Sequence, residues 1–258
     1  MVGGTARVAA RLGILGVLLG SAVIAALHIV GPGTAISPIR RTISEYMLTS
    51  AAWAFDVGVL AVAAGSAAIL MAMARFVSGA SRVGLLLGAL WVAGLVTLVA
   101  FPKADWALGP SVSGQVHRVA SMVAFLALPF AVIALLARRT GRGPGRGMAG
   151  WGVGLAVAGL AWFTPIVVAI ASAANGGRWW TAVPLGLVER GMAVTEVAAM
   201  VVLGVWAIRF GAGTTERVPA GSTELAAVAD PALADAPAAA PPVLEPLLPV
   251  PVSDPAAP

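Results

Sequence analysis

The stretch VGLLLGALWVAGLVTLVAF, from Val83 to Phe101, decides the fold, because it is a continuous apolar run without a single charged residue. A helix rises 1.5 Å per residue and the hydrocarbon core of a bilayer is about 30 Å thick, so roughly 20 such residues make one crossing. Five further runs have the same character: Leu12–Val30, Ala51–Met73, Val116–Ala137, Trp151–Ala174 and Leu187–Phe210. The chain therefore reads as an all-α polytopic membrane protein, a bundle of six transmembrane helices. A composition of 59% hydrophobic and 10% charged residues excludes an ordinary soluble domain.

The first run follows Arg7 and Arg11, as the apolar part of a signal peptide would. It is too long for one and has no small-x-small cleavage site, so it is expected to be retained as the first span. Basic residues collect on the cytoplasmic side of membrane proteins. With the N-terminus inside, ten basic residues fall inside and six outside, and the loop from Arg138 to Arg146 carries four arginines and no acid. The expected orientation is N-in, C-in. The formal charge of +5 then needs no nucleic-acid partner, since the basic residues are split among loops and form no stripe. Arginine outnumbers lysine fifteen to one, which fits a GC-rich bacterial genome, and the expected location is the bacterial cytoplasmic (inner) membrane.

Residues 1–212 form the expected membrane domain. Residues 213–258 hold ten prolines and six acids against one arginine. Such a segment cannot bury enough apolar surface to offset its ordering entropy, so a disordered, Pro/Ala-rich acidic cytoplasmic tail is expected, with a cytoplasmic partner as one possible use. Small residues recur four apart at Gly16 and Gly20, Gly84 and Gly88, and Gly150 and Gly154, a spacing that lets helices approach closely in lipid and that also permits a homo-oligomer. Pro129 and Pro165 lie inside spans four and five and are expected to kink them.

Charges at membrane depth are expensive and therefore informative. Asp56 lies five residues into span two, roughly 7 Å below its outer end. His117 and Arg118 open span four, Glu189 and Arg190 open span six, and Glu196 follows Glu189 on the same helical face. In the N-in topology all of these, together with His28, belong to the outer half of the membrane, and the inner half is almost purely apolar. The outer loops add Ser44, Glu45 and the only tyrosine, Tyr46, then Lys103 and Asp105. Trp53, Trp106, Trp179 and Trp180 are placed to anchor one interface.

The candidate site is accordingly a polar cluster of Ser44, Glu45, Asp56, Asp105, His117, Arg118, Glu189, Arg190 and Glu196, able to bind a lipid headgroup or a small molecule. Arg40, Arg41, Arg118 and Arg190 suit phosphate, with carboxylates orienting them. The competing expectation is internal pairing: Asp56 or Glu45 with Arg118 or His117, and Glu189 or Glu196 with Arg190. Two other functions remain open. One is an intramembrane enzyme acting on a lipid or isoprenoid through carboxylate and histidine chemistry, with Ser44 and His117 as a conceivable nucleophile and base. The other is a small-molecule or proton-coupled transporter. No His-x-x-His or His-Glu-x-x-His spacing is present, so no metal and no cofactor is expected; cysteine is absent, so no thiolate chemistry is available. Membrane lipids are the expected partners.

Four short motifs stand in order along the chain: Ile43-Ser44-Glu45-Tyr46 ahead of span two, the Phe101-Pro102 turn with Asp105, Gly114 and His117 opening span four, and Leu187, Glu189-Arg190 and Trp206 in span six. In these the chain resembles the bacterial six-span membrane family known as domain of unknown function 998, over about residues 10–210. That resemblance implies six helices and no established activity. The Ser-acid turn before span two is also similar to the Frag1/DRAM/Sfk1 membrane proteins, some of which are linked to lipid remodelling or lipid asymmetry.

Overall fold

The computed structural model describes residues 2–105, 107–141, 143–173 and 177–211. Trp106, Arg142, Asn175 and the proposed tail at 213–258 lie outside these described residues. Eight α-helices occur among the described residues, and no strand: α1 (Val2–Ala26), α2 (Ala52–Phe76), α3 (Arg82–Ala100), α4 (Val112–Leu136), α5 (Arg146–Ala161), α6 (Thr164–Ser172), α7 (Trp179–Ala182) and α8 (Leu185–Phe210). Six spans in them are long and apolar enough to cross a membrane, with α5 and α6 together making the fifth.

Serine residues start two of the spans. The Ser81 hydroxyl accepts from the Gly84 N–H at 3.2 Å to open α3, and the Ser111 hydroxyl accepts from the Gly114 N–H at 3.0 Å to open α4. Helix α1 ends at Ala26, and residues 27–30, expected within the first span, form a turn instead. Helix α4 begins at Val112, one turn before the expected start, because that serine cap lies in the loop ahead of the apolar run.

Lipid tails are as apolar as leucine, so close packing and internal hydrogen bonds must hold the bundle together. Successive spans pack as neighbours, and α8 sits against α1, α2, α4 and α5, which makes it the central helix. Val17, Ile69, Leu128, Leu136 and Leu203 are fully buried in the resulting core. Glycines carry the contact of α1 with α2: a methyl group on Gly13 would lie 2.7 Å from the Gly65 carbonyl oxygen, and one on Gly16 would lie 3.3 Å from that of Ala61. Gly84 faces Leu135 of α4 and Gly88 faces Leu70 of α2, whereas Gly150 and Gly154 have nothing within 4 Å of an added methyl group. Between α2 and α3 the buried Trp91 indole N–H donates to Ser66 Oγ at 3.2 Å.

The two intramembrane prolines act differently. Helix α4 continues through Pro129. The fifth span breaks: α5 ends at Ala161, Trp162 and Phe163 form a turn, and Pro165 stands in the first turn of α6. Proline suits a helix start, where its missing N–H has no intrahelical acceptor to serve. The break lets the Trp162 ring lie directly against the backbone of Gly191 on α8.

Candidate functional site

The polar groups gather at the end of the bundle where α1 finishes and α2 and α8 begin. Loop one (residues 27–51) crosses this end in two 3-10 turns, Gly31–Ala35 and Ile43–Leu48. It is fixed to the first turns of α8 through backbone as much as through side chains. Leu187 N–H donates to the Ile39 carbonyl at 3.1 Å, and Gly186 lets the Pro38 and Arg41 carbonyls approach its own backbone closely. Glu189 Oε2 accepts from Ile43 N–H at 2.6 Å, a bond across 146 residues of sequence.

Arg190 is the second clasp. Its Nη1 donates to the Arg41 carbonyl at 2.7 Å and the Gly186 carbonyl at 3.0 Å. Its Nε donates to His28 Nε2 at 2.6 Å, and Nη2 reaches the Tyr46 hydroxyl at 3.4 Å. An arginine can only donate, so His28 Nε2 accepts; the hydrogen-bond network assigns the proton to Nδ1, which donates to the Ile24 carbonyl at 3.1 Å. The His28 and Tyr46 rings meet edge to face, with centroids 5.3 Å apart. The guanidinium fork thereby ties α1, loop one and α8 together.

Loop two adds the third clasp. Lys103 Nζ donates to Thr42 Oγ1 at 2.5 Å and to Glu45 Oε1 at 3.2 Å. The Thr42 and Ser44 hydroxyls lie 3.1 Å apart. The other Glu45 oxygen faces Arg41 Nε at 3.4 Å. The Lys103 and Glu45 side chains are 14% and 16% exposed, and that of Arg41 is 61% exposed. The lysine therefore neutralises Glu45 out of solvent, and the Arg41 guanidinium projects outward from a single, loose contact.

The structure thus brings Ser44, Glu45, Glu189 and Arg190 into one network and adds His28, Arg41, Thr42, Tyr46 and Lys103 to it. The other sequence candidates stand apart from these hydrogen bonds. Asp105 is exposed and accepts from the Ala107 N–H at 2.9 Å, closing a turn. His117 is buried, and its Nδ1 donates to the Leu98 and Phe101 carbonyls at 2.9 and 3.0 Å, which caps the end of α3; its Nε2 is buried without a partner. Arg118 is exposed. Asp56 is half-buried, and its Oδ1 has no hydrogen-bond partner. Glu196 lies two helical turns below Glu189, 1% exposed.

Glu45 and Glu189 take other hydrogen-bond and ion-pair partners than those expected from sequence. Glu45 pairs with Lys103 and Arg41, and Glu189 with a backbone N–H, because α8 presents Glu189 to the 3-10 turn of loop one and turns Arg190 toward α1. Ser44 bonds to Thr42, and His117 bonds to α3 carbonyls, so the two do not form a nucleophile and base pair with one another. The residues that sequence reasoning left out of the cluster carried one signal: Lys103 is the only lysine and Tyr46 the only tyrosine.

No curated protein and no solved structure matches the chain. One family model does, over residues 14–206, which runs from the middle of α1 to near the end of α8 and takes in the whole polar end. The chain belongs to the family described as protein of unknown function (DUF998).

Proposed function

We propose that the polar end of the bundle holds the anionic headgroup of a membrane phospholipid. One observation carries this reading: Arg41 is largely exposed and held at 3.4 Å by a carboxylate whose charge the half-buried Lys103 already offsets. Counting Arg41, Lys103 and Arg190 against Glu45 and Glu189, the network has a surplus positive charge, and that charge points outward. Arginine presents planar donor pairs that match phosphate oxygens. Arg40, the adjacent exposed residue, supplies a second guanidinium on the same loop.

A groove supports the same reading. It has a volume of about 390 Å³, runs between α3 and α4, and starts at Gln115 in the first turn of α4 beside loop two. Leu90, Ala93, Val119 and Val123 line it. A groove with this lining suits an acyl chain whose headgroup lies at the level of the loops. The site belongs to the outer leaflet of a bacterial cytoplasmic membrane in an N-in, C-in bundle, an orientation that rests on the excess of arginines in the opposite loops.

Native mass spectrometry of the detergent-solubilised chain tests the proposal with phosphatidylglycerol and phosphatidylcholine of matched acyl chains. Phosphatidylglycerol is expected to be retained preferentially. A cation at a membrane surface contributes ~1 kcal/mol to such binding, so Arg41→Gln should weaken retention about fivefold and leave phosphatidylcholine unchanged. Equal retention of both lipids, or no loss in a variant carrying both Arg40→Gln and Arg41→Gln, overturns the reading.

A further inference from the structure

Glu196 takes no part in the network above. It is 1% exposed, and neither carboxyl oxygen has a hydrogen-bond partner. It lies eleven residues into α8, about 17 Å along the helix, which is mid-depth in a hydrocarbon core of about 30 Å. An ionisable side chain is expensive at that depth, and an unpartnered one there is a functional-site candidate.

Its surroundings have one further property. A methyl group on Gly159, two residues before the break in span five, would lie 3.7 Å from Glu196 Cγ and 3.6 Å from Pro129 Cγ. The Glu196 stem, the Thr195 hydroxyl (3.4 Å) and the Pro129 ring of α4 therefore all line the same point beside the last turn of α5. Both prolines subtract a backbone donor nearby. Pro129 has no N–H for the Phe125 carbonyl, one turn away on α4, and Pro165 has none for the Ala161 carbonyl at the end of α5. An acid beside a discontinuous helix whose carbonyls have lost their donors is the chemistry that takes up a small positive charge at a bilayer midplane.

Among the described residues no basic group hydrogen-bonds to the acid. The ionisable side chains of the helices packed on α8 lie toward their ends: Arg7 and Arg11 on α1, Asp56 and Arg75 on α2, His117, Arg118 and the Arg138–Arg139 pair at the two ends of α4, and Arg146 on α5. On α8 itself Glu189 and Arg190 are engaged with loop one and His28, and Arg209 stands at the far end. Thr195, the neighbour in sequence, donates its hydroxyl back to the Gly191 and Met192 carbonyls at 2.8 and 2.9 Å. The Trp162 ring is seated on Gly191, one turn nearer the polar end on α8.

We propose that Glu196, at the break in the fifth span, is an exchangeable site for one monovalent positive charge, a proton or an alkali-metal ion. This site is separate from the headgroup site and does not depend on it.

Dicyclohexylcarbodiimide tests the proposal in the full-length chain reconstituted in nanodiscs, because it modifies carboxylic acids in apolar surroundings through their protonated form. Adducts are mapped by peptide mass spectrometry. The expected result is an adduct at Glu196 in mildly acidic buffer. If the occupant is a proton, the adduct is lost as the buffer is made alkaline with choline as the only cation. If it is an alkali-metal ion, the adduct is lost at fixed pH when sodium or lithium replaces choline. The adduct should be absent from Glu196→Gln. No adduct at Glu196 in any buffer, or the same yield across all of them, overturns the proposal. The wild-type chain alone gives that answer, whether or not Glu196→Gln folds.

Discussion

Arg190 shows why residue identity matters more than charge at the polar end. Its four donated hydrogen bonds reach His28, Arg41 and Tyr46 of loop one and Gly186 of α8 from one planar fork. Lysine has a single nitrogen and cannot reproduce that geometry. Arg190→Lys is accordingly expected to lower the thermal unfolding midpoint of the detergent-solubilised chain nearly as far as Arg190→Ala does; full retention by lysine would reduce the residue to a point charge. Lys103 differs, because it makes two contacts from one ammonium. Lys103→Met leaves Glu45 half-buried against Arg41 alone, and losing the partner of a buried polar group costs about 1–3 kcal/mol. A drop in thermal midpoint for Lys103→Met, restored by Glu45→Gln in the same chain, is the expected signature; an unchanged midpoint in Lys103→Met would show that the pair contributes nothing. Much of this network was legible as residue types, since ionisable groups in an apolar chain stand out. The partners were not. Glu189 or Glu196 was expected to pair with Arg190, but adjacent residues on a helix point about 100° apart, and the hydrogen-bond partner of Glu189 is the backbone N–H of residue 43, which no side-chain pattern announces.

At the scale of elements, two glycine pairs with the same spacing behave in opposite ways. Gly16, with Gly13 and Gly20, places the backbone of α1 against that of α2, and Gly154 faces open space. Gly13→Leu should overpack the interface of α1 with α2 and cost about 1–3 kcal/mol, while Gly154→Leu should stay within about 0.5 kcal/mol of the parent chain. Unfolding in a mixed-detergent titration separates them; equal effects would contradict this assignment of faces. The spacing alone predicts close approach without saying which helix approaches, because the order of helices in the bundle comes from tertiary packing. The prolines carry the same lesson. Pro129 and Pro165 were equivalent in sequence, but α4 is packed by α3, α5 and α8, which hold a continuous helix across the missing hydrogen bond. The fifth span is the least buried of the six and breaks.

The whole molecule is sided. Hydrogen-bonded ionisable side chains and 3-10 loops cover one end, and the opposite end carries Arg75, Arg82, Arg138, Arg139, Arg146 and Arg209 with no acid among the described residues. This division was readable from sequence because hydropathy fixes the number of crossings and the number of crossings fixes which loops share a side. The chain has no cysteine, so single introduced thiols report sidedness directly. In intact cells a membrane-impermeant maleimide is expected to label Ser37→Cys and Leu108→Cys, and to label Gly141→Cys only after permeabilisation. Labelling of loops one and two from opposite sides would dismantle the polar end as a unit. The most direct measurement of the central claim, however, is where an anionic lipid sits. A phosphatidylglycerol analogue carrying a photoreactive headgroup, irradiated with the full chain in nanodiscs and mapped by peptide mass spectrometry, should place its adducts on residues 37–46 and on the loop around Lys103, and lose them with Arg41→Gln. Adducts confined to the opposite, arginine-rich loops, or unaffected by Arg41→Gln, would contradict the assignment of this end as the headgroup site.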